Sequence, residues 1–246
     1  MSGPTPGERT GRLVVIDGPA GAGKTTIARA LARRLGLPLL DTGAIYRSLA
    51  LVARRRGMAW DDEPGLVALA TELRIRFGGL APPGAPDTPQ RVWVDNDDVT
   101  EAIRTPEVAD GASRVSALPG VRRALLDLQR ALGASGCVAE GRDMGTVVFP
   151  EAPYKFFVTA DLSERAARRR ADLGAMAPEQ SPSLSSVEAD LRSRDARDSG
   201  RSAAPLSRAE DAVLIDTTQL DPSEVMALIL RRIGESPESA PDPALG

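Results

Sequence analysis

The 246-residue sequence contains no histidine and only one cysteine, Cys137. The absence of histidine removes the most common general base, the Ser–His and Cys–His nucleophile pairs, and most zinc sites. A single cysteine cannot form an intrachain disulfide, which fits a reducing compartment, and we expect a cytoplasmic protein.

Other features are also scarce. Aromatic residues make up 3% of the chain, and Lys24 and Lys155 are the only lysines, so nearly every cation is an arginine. No apolar run reaches the roughly 20 residues that a membrane helix needs. A net charge of −3 and a pI near 5.3 argue against a general nucleic-acid binder. We expect a monomer that acts on small molecules, with neither a membrane nor a nucleic acid as partner.

Short apolar runs alternate with segments that carry apolar residues at helical spacing. The predicted strands begin near Leu13, Leu37, Cys137, Tyr154 and Ala212. This alternation is typical of an α/β protein with right-handed crossovers. We predict a parallel five-stranded sheet flanked by helices.

Composition divides the chain further. Two strand-like runs around a Pro/Gly-rich stretch indicate a small insertion in the middle. The termini lack apolar patterning, which is typical of disorder. The predicted parts are a disordered leader at 1–11, a core domain at 12–60 and 116–234, an inserted domain at 61–115, a mobile lid at about 162–204 within the core domain, and a disordered tail at 235–246.

A glycine-rich segment between the first strand and the first helix matches G-x-x-x-x-G-K-[ST] in full. Together with the five-stranded sheet, this motif predicts a fold of the P-loop nucleoside triphosphate hydrolase type. The backbone N–H groups of the segment and the helix N-terminus suit the phosphates of ATP, Lys24 suits the β- and γ-phosphates, and the Thr25 hydroxyl suits Mg²⁺. The sole Asn, Asn96, is followed by Asp97, so the N-K-x-D segment of a GTPase is absent. The predicted ATP-binding residues are Gly18, Pro19, Ala20, Gly21, Ala22, Gly23, Lys24, Thr25 and Thr26.

Two more polar segments follow predicted strands, at Asp41–Arg47 and at Glu140–Asp143. Helix capping alone would explain Asp41 and Thr42, but it does not explain the second segment. Ligands of open α/β sheets gather outside the carboxyl ends of the strands, so both segments are expected to face the phosphate loop. Two anion sites on one crevice indicate a phosphotransferase with two phosphorylated ligands.

Five segments together resemble the bacterial cytidylate kinase family over about residues 12–233. They are DGPAGAGKTT, LLDTGAIYR, IRTPEVADGASRVSALPGVRRALLDLQR, GRDMGTVVFPEAP and RDARDSGRSAAPL. The resemblance implies transfer of the γ-phosphoryl group of ATP to CMP or dCMP with Mg²⁺. It also implies that the insertion is the extended monophosphate-binding domain of that family.

The resemblance also implies residue roles. The acceptor phosphate would be held by Thr42, Tyr46, Arg47 and Arg142; the cytosine would be read by Ser113, Arg122 and Asp143; Arg194 and Asp198 would bind the ribose and Arg201 a phosphate. Lys24, Arg142 and Arg201 would be the catalytic residues. Asp suits the exocyclic amine of cytosine and Arg suits its O2 and N3 acceptors, whereas uracil presents the opposite pattern at N3 and C4.

The predicted lid is rich in arginine. For Arg165, Arg170 and Arg192 we favour solvated helix positions. Arg194, Asp198 and Arg201 are spaced i, i+4 and i+7, which predicts one shared helical face. Glu140 stands where some relatives have Asp, and its contact stays open.

Three alternatives remain at this point. The chain could phosphorylate another small acceptor such as AMP, UMP or shikimate. It could be a regulatory module that uses ATP as a switch and needs no second anion site. Binding of RNA by the arginine clusters is disfavoured by the acidic pI.

Overall fold

The computed structural model describes residues 12–82, 88–176 and 182–235. The predicted leader, nearly all of the predicted tail and part of the predicted lid linker lie outside these ranges. No helix within them is long and apolar enough to cross a membrane.

Eight strands and eight α-helices make up the described part of the chain. In order they are β1 (Leu13–Asp17), α1 (Lys24–Leu35), β2 (Leu39–Asp41), α2 (Thr42–Arg55), α3 (Glu63–Glu72), β3 (Ile75–Phe77), β4 (Val92–Val94), β5 (Asp97–Asp98), α4 (Pro106–Val115), α5 (Pro119–Gly133), β6 (Cys137–Gly141), β7 (Tyr154–Thr159), α6 (Leu162–Met176), α7 (Leu184–Ser199), β8 (Val213–Asp216) and α8 (Pro222–Arg232). A 3₁₀ turn at Ala102–Arg104 precedes α4, and a π-helical segment at Met144–Val148 follows β6.

The five-stranded sheet has the order β2-β6-β1-β7-β8, and all its strand pairs are parallel. The predicted fold class is confirmed. Asp17 pairs with Gly141, and Asp41 pairs with Glu140. These residues lie at the carboxyl ends of three neighbouring strands. The loops that follow these strands therefore leave the sheet on the same side.

Burial on both faces explains why the central strand is continuously apolar. Val14, Val15 and Ile16 are fully buried. Val14 and Ile16 belong to a cluster with residues of α1 and α8, while Val15 belongs to the opposite cluster with residues of α2, α4 and α5. The sheet is therefore held rigidly between two helical layers, which fixes the loops at its edge.

The stretch 61–115 contains a separate antiparallel sheet of order β3-β4-β5. It also contains α3 and α4, two helices that the apolar spacing had not indicated. Each has proline in its first turn and a side-chain cap, from Asp62 and Thr105 respectively. The Gln90 amide donates to the carbonyls of Leu39 and Gly78, at 3.1 and 3.0 Å, which ties the small sheet to β2.

Helices α6 and α7 pack against each other in the region predicted as the lid. Helix α7 ends at Ser199, and Gly200 follows it. Arg201 therefore lies beyond the helix, and the prediction that it shares a helical face with Arg194 and Asp198 is wrong. Arg201 still contacts Asp198 through a turn after the helix end.

Candidate active site

The phosphate loop follows β1 and depends on its glycines. Gly18, Gly21 and Gly23 have φ values of 149°, 76° and 83°, a region that L-residues with side chains rarely adopt. At Gly18 an added Cβ would also lie 1.9 Å from the Val158 carbonyl oxygen. The loop can thus wrap around a ligand only with glycine at these positions.

Lys24 begins α1 and is buried beneath the loop. Its ammonium donates to the Pro19 carbonyl oxygen at 2.6 Å. Burial lowers the pKa of Lys24, and the neighbouring Arg142 lowers it further. An anionic phosphate beside these two cations would favour the charged ammonium, so the two side chains suit an anionic ligand.

Thr25, the next residue, is joined to the neighbouring strand. Its hydroxyl donates to a carboxylate oxygen of Glu140 at 2.9 Å, which answers the question of what Glu140 contacts. Glu140 is buried, its other oxygen has no hydrogen-bond partner, and burial followed by the charge of Asp41 raises its pKa. These oxygens suit Mg²⁺, which prefers oxygen ligands and shares them with substrate phosphates. Among the described residues no group of three or more His, Cys, Asp or Glu could hold a metal alone.

A second group of polar residues begins at the end of β2 and continues into the first turns of α2. The Asp41 carboxylate caps α2 by accepting from the Ala44 N–H at 2.9 Å, and it also accepts from the Arg47 guanidinium at 2.7 Å. The Thr42 hydroxyl donates to the Glu140 carbonyl oxygen at 2.7 Å. Tyr46 lies one turn into α2, and burial raises the pKa of its phenol. Capping therefore accounts for Asp41, while Arg47 is held at the same edge of the sheet as Glu140.

Arg142 follows β6 and reaches the lid. Its Nε donates to an Asp198 oxygen at 2.8 Å, and Arg201 pairs with the other Asp198 oxygen. Burial alone would raise the pKa of Asp198, but Arg142 and Arg201 outweigh burial and hold it below its usual value. Burial, together with Arg142, lowers the pKa of Arg194 to about 10. The structure thus gathers three predicted arginines around one carboxylate.

The residues predicted to read cytosine form an adjoining group. Arg122 pairs with Asp143 and donates to the Ser116 carbonyl oxygen at 3.1 Å. Arg201 donates to the Ser116 hydroxyl at 3.0 Å, which links this group to the lid. Ser113 lies one turn earlier on α4, and its buried hydroxyl has no partner. No pattern in the sequence singles out Ser116.

Two lid residues, Arg165 and Asp195, contact Ala20 of the phosphate loop. The Asp195 carboxylate accepts from the Ala20 N–H at 3.4 Å. Arg165 donates to the Ala20 carbonyl oxygen at 2.9 Å and to the Asp195 carboxylate at 2.6 Å. Arg165 is buried, so its predicted solvated position is wrong, whereas Arg170 and Arg192 are exposed as predicted. The misprediction arose because helical spacing alone cannot show that α6 packs against the phosphate loop.

Several buried polar atoms in this crevice have no hydrogen-bond partner. They are Tyr46 Oη, Arg47 Nε, Ser113 Oγ, Arg122 Nε, Glu140 Oε1 and Arg201 Nε. Buried polar atoms are normally paired, because leaving one without a partner costs free energy. Most of these are donors, which suits a polar and anionic ligand.

The family model described as cytidylate kinase matches residues 14–235. The chain belongs to the cytidylate kinase family. It is 47% identical over 224 residues to the cytidylate kinase of Syntrophotalea carbinolica, covering 91% of this chain and 92% of that protein. It is 49% identical over 220 residues to the cytidylate kinase of Pseudomonas aeruginosa strain LESB58, covering 89% and 93% of the two chains.

A further family relative is longer. The bifunctional pantoate ligase/cytidylate kinase of a Synechococcus species is 47% identical over 231 residues, which is 92% of this chain but 42% of that protein. The present chain therefore spans less than half the length of this relative.

Proposed function

We propose that this chain transfers the γ-phosphoryl group of ATP to CMP or dCMP and releases ADP and CDP or dCDP. Membership of the cytidylate kinase family supports this function. The observation that carries it in the structure is the proximity of two groups of polar residues. We call them the donor cradle, at 18–26, and the acceptor cradle, at 41–47. Glu140 joins them, because its carboxylate accepts from the Thr25 hydroxyl at 2.9 Å and its carbonyl oxygen accepts from the Thr42 hydroxyl at 2.7 Å.

The donor side of the crevice is the segment from Gly18 to Thr26. Its backbone N–H groups and the N-terminus of α1 would surround the phosphates of ATP. Lys24 would bind the β- and γ-phosphates, for which its ammonium would leave the Pro19 carbonyl. Thr25 and Glu140 would hold Mg²⁺, directly or through water, and the metal would neutralise charge on the phosphates.

The acceptor side is formed by the acceptor cradle and by Arg142. Thr42, Tyr46, Arg47 and Arg142 would hold the phosphate of CMP in line with that of ATP. No side-chain base is needed, because the attacking phosphate oxygen is already an anion at neutral pH. Positioned cations stabilise a loose, highly charged transition state, which accounts for a site without histidine.

Recognition of the base would fall to Ser113, Arg122 and Asp143. The Arg122–Asp143 pair holds both side chains in place before the base arrives. Cytosine offers Asp143 an amine donor and offers Arg122 two acceptors. Uracil would leave buried polar groups unpaired, and such mismatches give steep discrimination.

The lid would complete the site. Arg194 and Asp198 would bind the ribose, and Arg201 would join the cations around the transferred group. Closure would also exclude water, which would otherwise hydrolyse ATP. We expect the chain to work as a cytoplasmic monomer on these small molecules alone.

Initial rates on a panel of acceptors test the proposal. A coupled ADP-release assay with CMP, dCMP, UMP, AMP, shikimate and no acceptor separates the alternatives in one experiment. We expect the highest kcat/KM with CMP or dCMP. A preference for AMP or shikimate, or ADP release that does not depend on acceptor, would contradict the proposal.

A further inference from the structure

Asp17 is a buried carboxylate that none of the roles above uses. It is the last residue of β1 and immediately precedes Gly18 of the phosphate loop. One of its oxygens accepts from the Met144 N–H at 2.9 Å, and the other accepts from the Gly145 N–H at 2.8 Å. A single side chain therefore joins the start of the donor cradle to the loop that follows β6.

These two N–H groups open the π-helical segment at Met144–Val148. The first N–H groups of a helix lack partners within it and need a cap. The preceding residue, Asp143, gives no side-chain cap, because its carboxylate is engaged with Arg122. Asp17 supplies the missing acceptor from another strand and leaves Asp143 available to the site.

The position of the Met144 and Gly145 peptide groups determines where the side chains of two site residues, Arg142 and Asp143, lie. Arg142 and Asp143 directly precede Met144, and β6 is held in register with β1 by the pairing of Asp17 with Gly141. A shift at the Met144 and Gly145 peptides would move the Asp143 carboxylate and the Arg142 guanidinium relative to the phosphate loop. Displacements of this kind alter reactivity strongly even when the reacting groups are intact.

The surroundings of Asp17 disfavour a charged carboxylate at this position. Burial raises its pKa, the nearby Asp143 carboxylate raises it further, and only the two backbone hydrogen bonds and Lys24 oppose this. A neutral acceptor would avoid both the desolvation and the repulsion. A carboxylate differs from a neutral side chain in having two acceptor oxygens and no donor. It can therefore accept from both N–H groups at once.

We propose that Asp17 is a positioning residue for acceptor recognition, which holds Asp143 and Arg142 in register with the phosphate loop and so sets the discrimination between CMP and UMP. The inference rests on the proposed function. A purely structural role predicts a different result, because loss of folded protein lowers the rate with every substrate by the same factor.

The test is Asp17→Asn, which keeps the size of the side chain but turns an amide donor toward one of the two N–H groups. We expect the ratio of kcat/KM for CMP to that for UMP to fall about tenfold or more. The KM for ATP should change less than about threefold, since the glycine loop itself is unaltered. A ratio within about twofold of wild type, with a uniform loss of rate, would overturn the inference.

Two further variants complete the design. Asp17→Ser carries a hydroxyl that is one bond shorter than the carboxylate oxygens and cannot serve both N–H groups, so it should lower the ratio in the same direction. Ile229→Val, in the apolar cluster on the opposite face of the sheet, destabilises the fold without touching the site and should leave the ratio unchanged. If neither Asp17 variant folds, the residue serves the fold and the inference is rejected. Failure of the wild type to phosphorylate CMP would instead contradict the proposed function.

Discussion

The Thr25 hydroxyl donates a 2.9 Å hydrogen bond to the Glu140 carboxylate, so the first turn of α1 is joined to the end of β6. This contact occupies one carboxylate oxygen of Glu140 and leaves the other, which is buried, without a hydrogen-bond partner next to the hydroxyl that suits Mg²⁺. Residues that orient a metal ligand matter nearly as much as the ligand itself. Glu140 is therefore expected to govern how the site uses the metal.

Glu140→Gln should weaken the response to Mg²⁺. The amide removes the negative charge and replaces one of the two acceptor oxygens by a donor that cannot bind a cation, so we expect kcat to fall about 10–100-fold and the half-saturating Mg²⁺ concentration to rise. Rates measured across a Mg²⁺ titration check this, with the exposed Glu151→Gln as control. An unchanged Mg²⁺ dependence in Glu140→Gln would contradict the role.

Gly18→Ala should prevent the phosphate loop from forming. The new Cβ would lie 1.9 Å from a backbone oxygen of β7, which cannot move without breaking the sheet. We expect the free energy of unfolding to drop by more than about 4 kcal/mol, or the protein to be insoluble. Gly36→Ala is the matched control: its φ is 64° and no atom lies within 4 Å of the added Cβ, so its loss should be about 1–2 kcal/mol. Equal losses in chemical denaturation would refute this account.

Much of the fold could be predicted because its signals are local. The strands of the large sheet are short apolar runs, and the phosphate loop is a contiguous motif between one of them and a helix. The proximity of the segments at 41–47 and 140–143, seen in the hydrogen bond from Thr42 to Glu140, was also predicted, since both segments come after strands of one parallel sheet. The individual roles of these residues stay predictions.

Other features could not be predicted because they depend on contacts between distant segments. The burial of Arg165 arises from Ala20, which lies 145 positions away. Asp17 appears in the sequence as the end of a strand, and only the register of β1 with β6 shows that it caps a remote loop. Arg201 was assigned to a helical face by spacing, but the helix ends before reaching it.

The pH dependence of stability should report the buried state of Asp17. Burial raises its pKa from 3.8 to about 6, so the folded state binds this proton more tightly than the unfolded state. The contribution of Asp17 to the free energy of unfolding must then fall as pH rises from about 4 to about 6, by about 3 kcal/mol. Urea denaturation of wild type and Asp17→Asn from pH 4 to 7 should show this difference. Parallel pH profiles would contradict it.

Arg142→Ala should separate ATP binding from phosphoryl transfer. Arg142 pairs with Asp198 at 2.8 Å and lowers the pKa of Lys24 in the phosphate loop, so its loss is expected to remove a cation from the transition state. We expect kcat with CMP to fall about 10²–10³-fold, while the Kd for ATP measured by calorimetry stays within about threefold of wild type. The exposed Arg231→Ala is the control. Unchanged turnover of CMP in Arg142→Ala would show that Arg142 takes no part in phosphoryl transfer and would contradict the role proposed for it.

Asp143→Asn should weaken the preference for CMP over UMP. The carboxylate can only accept, which suits the amine of cytosine, whereas the amide can also donate to the O4 of uracil. Arg122 would lose its ionic partner but keep its hydrogen bond to Ser116, so the pocket should persist. We expect kcat/KM for CMP to fall and the ratio of CMP to UMP to drop about tenfold or more. Asp127→Asn, exposed on α5, controls for the loss of one negative charge. If the ratio is unchanged in Asp143→Asn, Asp143 does not read the base, and Asp17 cannot act through it.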